Sequence, residues 1–245
     1  MRTSTALMVL LLAAASLSAQ QIPSGTILPA MLDNTLDSSH SKPGQPISAK
    51  LMQDVPLPNG GKIKRESKLL GHVIAVAPES SGHGASISLQ FNQIDIDKHL
   101  VSINLGLRAL ASMEAVSAAR LPANPNSGLG TTAWDANMLQ IGGQVAFNGQ
   151  RIVKSQKGQV VGKVVEPGAI LGAPMANPER GCLAPVGNTS DQAFWLFSTD
   201  ACGVYGDDNL KLASGIDGAS PGQIVLESPK KIIIRSGSGL LLQTN

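Results

Sequence analysis

Apolar and polar residues alternate through most of the first half of the chain. Side chains of an extended chain point to opposite faces in turn, so alternation predicts half-buried strands. A first strand is expected over 22–33, entered through Pro23 and Gly25, and a second over 47–55. Residues 62–64 open a third segment, which 69–76 continue. Strict alternation returns over 85–94. It then runs through Val101, Ile103, Leu105, Leu107, Ala109, Ala111 and Met113 as one long stretch. Asp97-Lys98-His99 between these runs reads as a hairpin tip, and 113–120 as a brief helix. Pro, Asn, Gly and Ser dominate 120–132, which marks a linker or long loop. Beyond Trp134, short candidate strands lie at 144–147, 159–165, 193–198, 224–226, 232–235 and 240–243, each bounded by Gly, Pro, Asn or Asp. No 10–15-residue amphipathic helices separate these strands, so a parallel β-α-β architecture is not expected. The expected fold is all-β: an antiparallel barrel or sandwich over 22–119, a linker over 120–133, and a second small β-rich region with a disulfide over 134–245.

One segment breaks the pattern. Ala6 to Ala15 is an unbroken apolar run, preceded by Arg2 and followed by Ser16-Leu17-Ser18-Ala19. A basic start, a short apolar stretch and small residues at the end form a secretory signal. The run is shorter than the roughly 20 apolar residues of a membrane span. Residues 1–19 are therefore expected to be a cleavable signal peptide. Cleavage after Ala19 is preferred, with Ser18 and Ser16 as alternatives because Leu17 is large for the −3 position. The mature chain is expected in the periplasm, at the cell surface or outside the cell, with no transmembrane helix.

Composition narrows the function classes. Removal of Arg2 leaves 18 basic against 17 acidic side chains, which gives no electrostatic case for nucleic acid. The 26 Gly and 15 Pro favour strands joined by tight turns. Aromatics are only 3% of the chain, so the core must be aliphatic. Cys182 and Cys202 are the two cysteines, and an exported chain meets an oxidising compartment, so they are expected to pair.

A set of turn and strand motifs carries a resemblance. Residues 22–32 read Ile-Pro-Ser-Gly-Thr-Ile-Leu-Pro-Ala-Met-Leu, followed by Lys42-Pro43-Gly44, by Ala49 through Asp54-Val55, and by Ser67-Lys68-Leu69-Leu70-Gly71. In order and spacing, residues 22–113 resemble the periplasmic β-barrel domain of the TrbI-type conjugation-channel scaffold of type IV secretion systems. The resemblance implies a barrel that works by contact within an envelope assembly. The chain departs from that family in carrying a cleavable signal where channel scaffolds have a transmembrane helix and a long Pro-rich segment. It also has Lys64-Arg65-Glu66-Ser67 where the family has a Pro-x-Gly-Ser turn.

Candidate chemistry is sparse. His40, His72, His83 and His99 show no metal-ligand spacing with one another or with cysteine, so no metal is expected. Asp95 and Asp97 are a potential carboxylate pair, but Asp97 sits where a turn favours Asp. Asp207-Asp208-Asn209 lacks the spaced ligands and closing Glu of a calcium loop. No Gly-x-Ser-x-Gly elbow and no phosphate-binding glycine loop is present, so no catalytic residue and no cofactor is assigned. Lys62, Lys64, Arg65 and Lys68 form the one basic cluster and are candidate surface-contact residues. Phe194-Trp195-Leu196-Phe197 is expected to be a core strand inside the disulfide ring. The expected function is an exported, non-enzymatic envelope protein with a structural or protein-interaction role, through an envelope partner or self-association. The alternatives are a secreted hydrolase of polysaccharide or peptide, and a carbohydrate-binding module displaying Trp134, Trp195 or Tyr205.

Overall fold

The computed structural model describes residues 22–123, 134–183, 190–214 and 222–245. The expected signal peptide and most of the expected linker lie outside these described residues. The first half carries strands β1 Ile27–Leu32, β2 Leu36–Asp37, β3 Pro46–Leu51, β4 Val55–Pro56, β5 Lys62–Ile63, β6 Lys68–Ala77, β7 Ala85–Ile96, β8 His99–Ser102 and β9 Leu105–Ala111, then helix α1 Met113–Ala119. The second half carries β10 Asn137–Leu139, β11 Val145–Phe147, β12 Ile152–Lys154, β13 Val160–Glu166, β14 Ala169–Gly172 and β15 Gln192–Ala193. It continues with β16 Gly203–Tyr205, β17 Lys211–Ser214, β18 Ile224–Ser228, β19 Ile233–Ile234 and β20 Gly239–Thr244.

The fold is all-β, and its main element is a nearly closed barrel-like sheet in the order β16-β9-β20-β1-β3-β6-β7-β18-β17, with β8 also paired to β7. Strand β7 is long enough for two partners on one edge: β18 takes Ala85–Leu89 and β8 takes Gln93–Ile96. The two outermost strands, β16 and β17, are joined by residues 206–210 alone, which brings the sheet's edges together. The β7–β8 hairpin turns through Asp97 and Lys98, both at positive φ, as the polar tip in the sequence predicts.

The barrel does not follow the expected division at the linker. Strands β16, β17, β18 and β20 come from the 134–245 region, yet they belong to the barrel sheet. The sheet needs them, because β1 has β20 on one side and β3 on the other. What stands apart is a second sheet in the order β10-β11-β12-β13-β14-β15.

Two cores share one wall. Leu28, Ala30, Leu107, Leu110, Leu240 and Leu242 point into the barrel. Ile27, Ala109, Ala111 and Leu241 point the other way, against Phe194, Phe197, Val153 and Val164 of the second unit. This explains why β9 and β20 are buried along their whole lengths. A strand covered on both faces reads as a continuous apolar run.

The long alternation expected over 101–113 is broken twice. Residues 103–104 separate β8 from β9, and β9 carries a bulge at Arg108 opposite the Leu241–Leu242 step. The extra residue flips the side-chain phase, so Leu105 and Leu107 face the barrel, as does Leu110. The expected strand over 193–198 is also shorter. After Ala193 the chain turns, with Phe197 N–H donating to Phe194 C=O and Trp195 at φ 51°. The segment is still core, as its composition implies, but as a buried turn.

Candidate binding cleft

The barrel interior is filled by its own side chains. Leu32, Leu36, Phe91, Leu107, Ile224 and Leu240 enclose a void of about 10 Å³. That is at the lower limit for one water, and the lining is apolar. Among the described residues, larger open spaces lie outside, where the barrel meets the second sheet. Two recesses of about 420 and 450 Å³ adjoin there and share Arg65 and Glu166 in their walls. The first is bounded by Gln53, Asp54, Pro56, Lys62, Val165 and Leu171. The second lies against Met52, Arg120, Met138, Pro167, Trp195 and Leu196.

Buried amides fix the separation of the two sheets. Gln53, 2% exposed, leaves the barrel just after β3. Its Nε2 donates to Ile170 C=O at 2.8 Å, and its Oε1 accepts from Trp195 N–H at 2.8 Å. Gln192 on β15 reaches back: its Oε1 accepts from Ile27 N–H at 2.6 Å, and its Nε2 donates to Gly25 C=O at 3.1 Å. A buried amide satisfied at both ends holds its partners in one geometry, because an unmade bond there costs about 1–3 kcal/mol. The cleft is therefore preformed.

Its rim carries both signs of charge. The Arg65 side chain is 3.7 Å from Glu166 across the cleft and 3.7 Å from Glu66. Asp54 accepts from Arg65 N–H at 2.8 Å and from the Lys62 ammonium. The Arg65 N–H first, and then Lys62, hold the Asp54 carboxyl below the usual carboxylate range, against the effect of its burial. Lys64 pairs with Asp97 at 2.7 Å, and this partner raises the Lys64 pKa. Lys68 stands opposite Asp95 in the β6–β7 register. The structure thus brings the basic cluster of Lys62, Lys64, Arg65 and Lys68 onto β5, the following turn and the start of β6. It surrounds that cluster with carboxylates instead of presenting a bare cationic face.

Arg120, at the C-terminal cap of α1, was not singled out by the sequence. Its guanidinium lies 5.6 Å from the centre of the Trp195 ring, within cation–π range. No carboxylate pairs with it among the described residues. No motif marks Arg120, Met52, Glu166 and Trp195 as neighbours, since they are remote in sequence.

The other candidates fall elsewhere. Cys182 and Cys202 form a disulfide with Cα atoms 6.0 Å apart. Beside it Arg108, 0% exposed, donates from Nε to Ala201 C=O at 3.1 Å, from Nη1 to Leu183 C=O at 2.9 Å, and from Nη2 to Met175 C=O. Burial lowers the Arg108 pKa, and the charge of Asp200 works against that shift. Among the described residues, no three His, Cys, Asp or Glu side chains converge as a metal site. His40 sits 3.0 Å from Asp37, while Asp207 accepts from Asn209 N–H at 3.0 Å within a turn. Trp134 and Tyr205 are half-buried beneath Arg151 and Arg180, at 4.8 and 4.3 Å, and Trp195 is 5% exposed. Comparison with known proteins finds no family model and no curated protein that matches the chain.

Proposed function

We propose that this protein is an exported, non-enzymatic component of the bacterial envelope, a TrbI-like barrel that holds a partner protein in the cleft between its two sheets. One observation carries the reading: among the described residues the barrel interior holds a void of about 10 Å³, while a preformed cleft of two adjoining recesses lies on its outer flank. A filled barrel offers binding only on its outer surface. The carboxylates of the cleft, Asp54 and Glu166, are engaged by Lys62 and Arg65. The Arg65 N–H and Lys62 hold the Asp54 carboxyl down, whereas a general acid needs a raised pKa, so the hydrolase alternative gains no support from it. The carbohydrate alternative gains none from aromatic rings that are buried or covered by guanidinium groups. The Cys182–Cys202 disulfide suits an oxidising compartment, and no described helix is long and apolar enough to cross a membrane.

The test is site-specific photo-crosslinking in the native bacterium. A benzophenone side chain at Val165, at the cleft mouth, is expected to yield one discrete higher-mass product. The same probe at Leu100, which is exposed on β8, should yield none. A monomer alone at both positions refutes the proposal.

A further inference from the structure

The two recesses differ in charge balance. In the first, Lys62 and Arg65 face Asp54 and Glu166. In the second, Arg65 and Arg120 face Glu166 alone. Arg65 already shares its charge with Glu166 and Glu66. Among the described residues, Arg120 has the Trp195 ring and a long 3.8 Å contact to Met31 Sδ as its side-chain partners. A guanidinium laid on an aromatic face is partly desolvated, yet its planar fork of donors stays available for a carboxylate. Around it the wall is mostly apolar, formed by Met52, Met138, Leu196 and Pro122, with the Asn148 amide also in the lining. Methionine side chains adapt their shape, which suits a groove that must receive varied apolar side chains. The recess opens to solvent and adjoins its neighbour across the Arg65–Glu166 pair, and its volume of about 450 Å³ has room for more than one side chain.

We propose that the Trp195 recess receives an extended segment of the partner protein in which an acidic side chain, flanked by apolar residues, pairs with Arg120. This rests on the reading that the cleft is the protein's contact site, and adds the chemistry of what enters it.

The test uses the whole mature protein, immobilised, and pools of capped hexapeptides. The pools carry Leu, Ile, Val, Phe or Met around a central residue fixed as Glu, Gln or Lys. Retained peptides are quantified by mass spectrometry. The Glu pool is expected to be retained about tenfold over the Gln pool, as for one charge-assisted contact. Arg120→Gln should bring that ratio to about 1, and Lys157→Gln, at an exposed position outside both recesses, should leave it unchanged. Arg120→Glu should shift the preference to the Lys pool, a gain that a misfolded variant cannot show. Equal retention of the Glu and Gln pools by the wild type, or a Glu preference that survives Arg120→Gln, overturns the inference. A crosslinked partner without any Glu preference would leave the cleft as a contact site and remove this proposal alone. A Glu preference without a crosslinked partner would overturn the contact reading and with it the partner segment proposed here.

Discussion

Replacing both cysteines, Cys182→Ala with Cys202→Ala, should cost more than the loss of a loop constraint. The two residues are 20 apart in sequence, and closing a ring of that size contributes on the order of 3 kcal/mol. The structure adds a second contribution. Leu183 and Ala201, each next to one cysteine, supply two of the carbonyls that solvate the buried Arg108 guanidinium. Without the bond these segments separate, and a buried cation loses hydrogen bonds worth about 1.5–3 kcal/mol each. Partial loss brings the total to about 4–6 kcal/mol. For a chain of this size that corresponds to a fall in Tm of about 10–20 °C. Thermal unfolding followed by circular dichroism measures it. The two effects share one site, so they should not be independent: Arg108→Met should destabilise the disulfide-bonded protein by at least about 1 kcal/mol more than it destabilises the double-Ala variant. A Tm fall of less than about 3 °C, or an additive cycle, would refute the coupling and show that the loop is held without the bond.

Gln53→Leu would leave Trp195 N–H unpaired in the wall between the sheets and Ile170 C=O with Phe194 N–H as its remaining donor. A loss of about 1–3 kcal/mol is expected in urea denaturation. Gly71→Ala would set a Cβ 2.0 Å from Gln90 C=O, in the backbone of β7 and beside a bulge. The β6–β7 pairing must then shift, with a fall in midpoint stability of more than about 2 kcal/mol. For Asp37, burial alone would raise the pKa, but the Lys231 ammonium, Ser39 N–H and His40 ring together hold it well below the carboxylate range. The unfolded chain takes up this proton near pH 4, about the reference value. Asp37 therefore contributes its full stability above that pH and loses it as pH falls toward the lower folded value. Asp37→Asn should lower stability at pH 7 and flatten the acid limb of the stability–pH curve, and an unchanged acid limb would contradict the assignment.

Strands β3, β6 and β7 were readable because each faces water on one side. Strands β3 and β7 bury alternate residues for much of their length, and the alternation in sequence follows directly. Strands covered on both faces were harder to place. In β9 the bulge at Arg108 changes the phase inside a run that reads as continuous. The Phe194–Phe197 segment has the composition of a strand but is a turn, because Trp195 N–H finds Gln53 instead of a ladder partner. The basic cluster was visible, but its carboxylate partners were not. Glu166 comes from the second sheet and Asp97 from a hairpin tip.

An all-β chain, an apolar run ahead of it and two cysteines able to pair were all legible in the residues. These follow from local periodicity, composition and count, which act over a few residues at a time. Only the tertiary structure decided that strands from both halves build one barrel, that three of its strands also wall a second core, and that a cleft opens between the sheets. Those features depend on contacts such as Gln53 with Trp195 and Gln192 with Ile27, made across more than a hundred residues. Their strength comes from desolvation, which is fixed only when both partners are buried together.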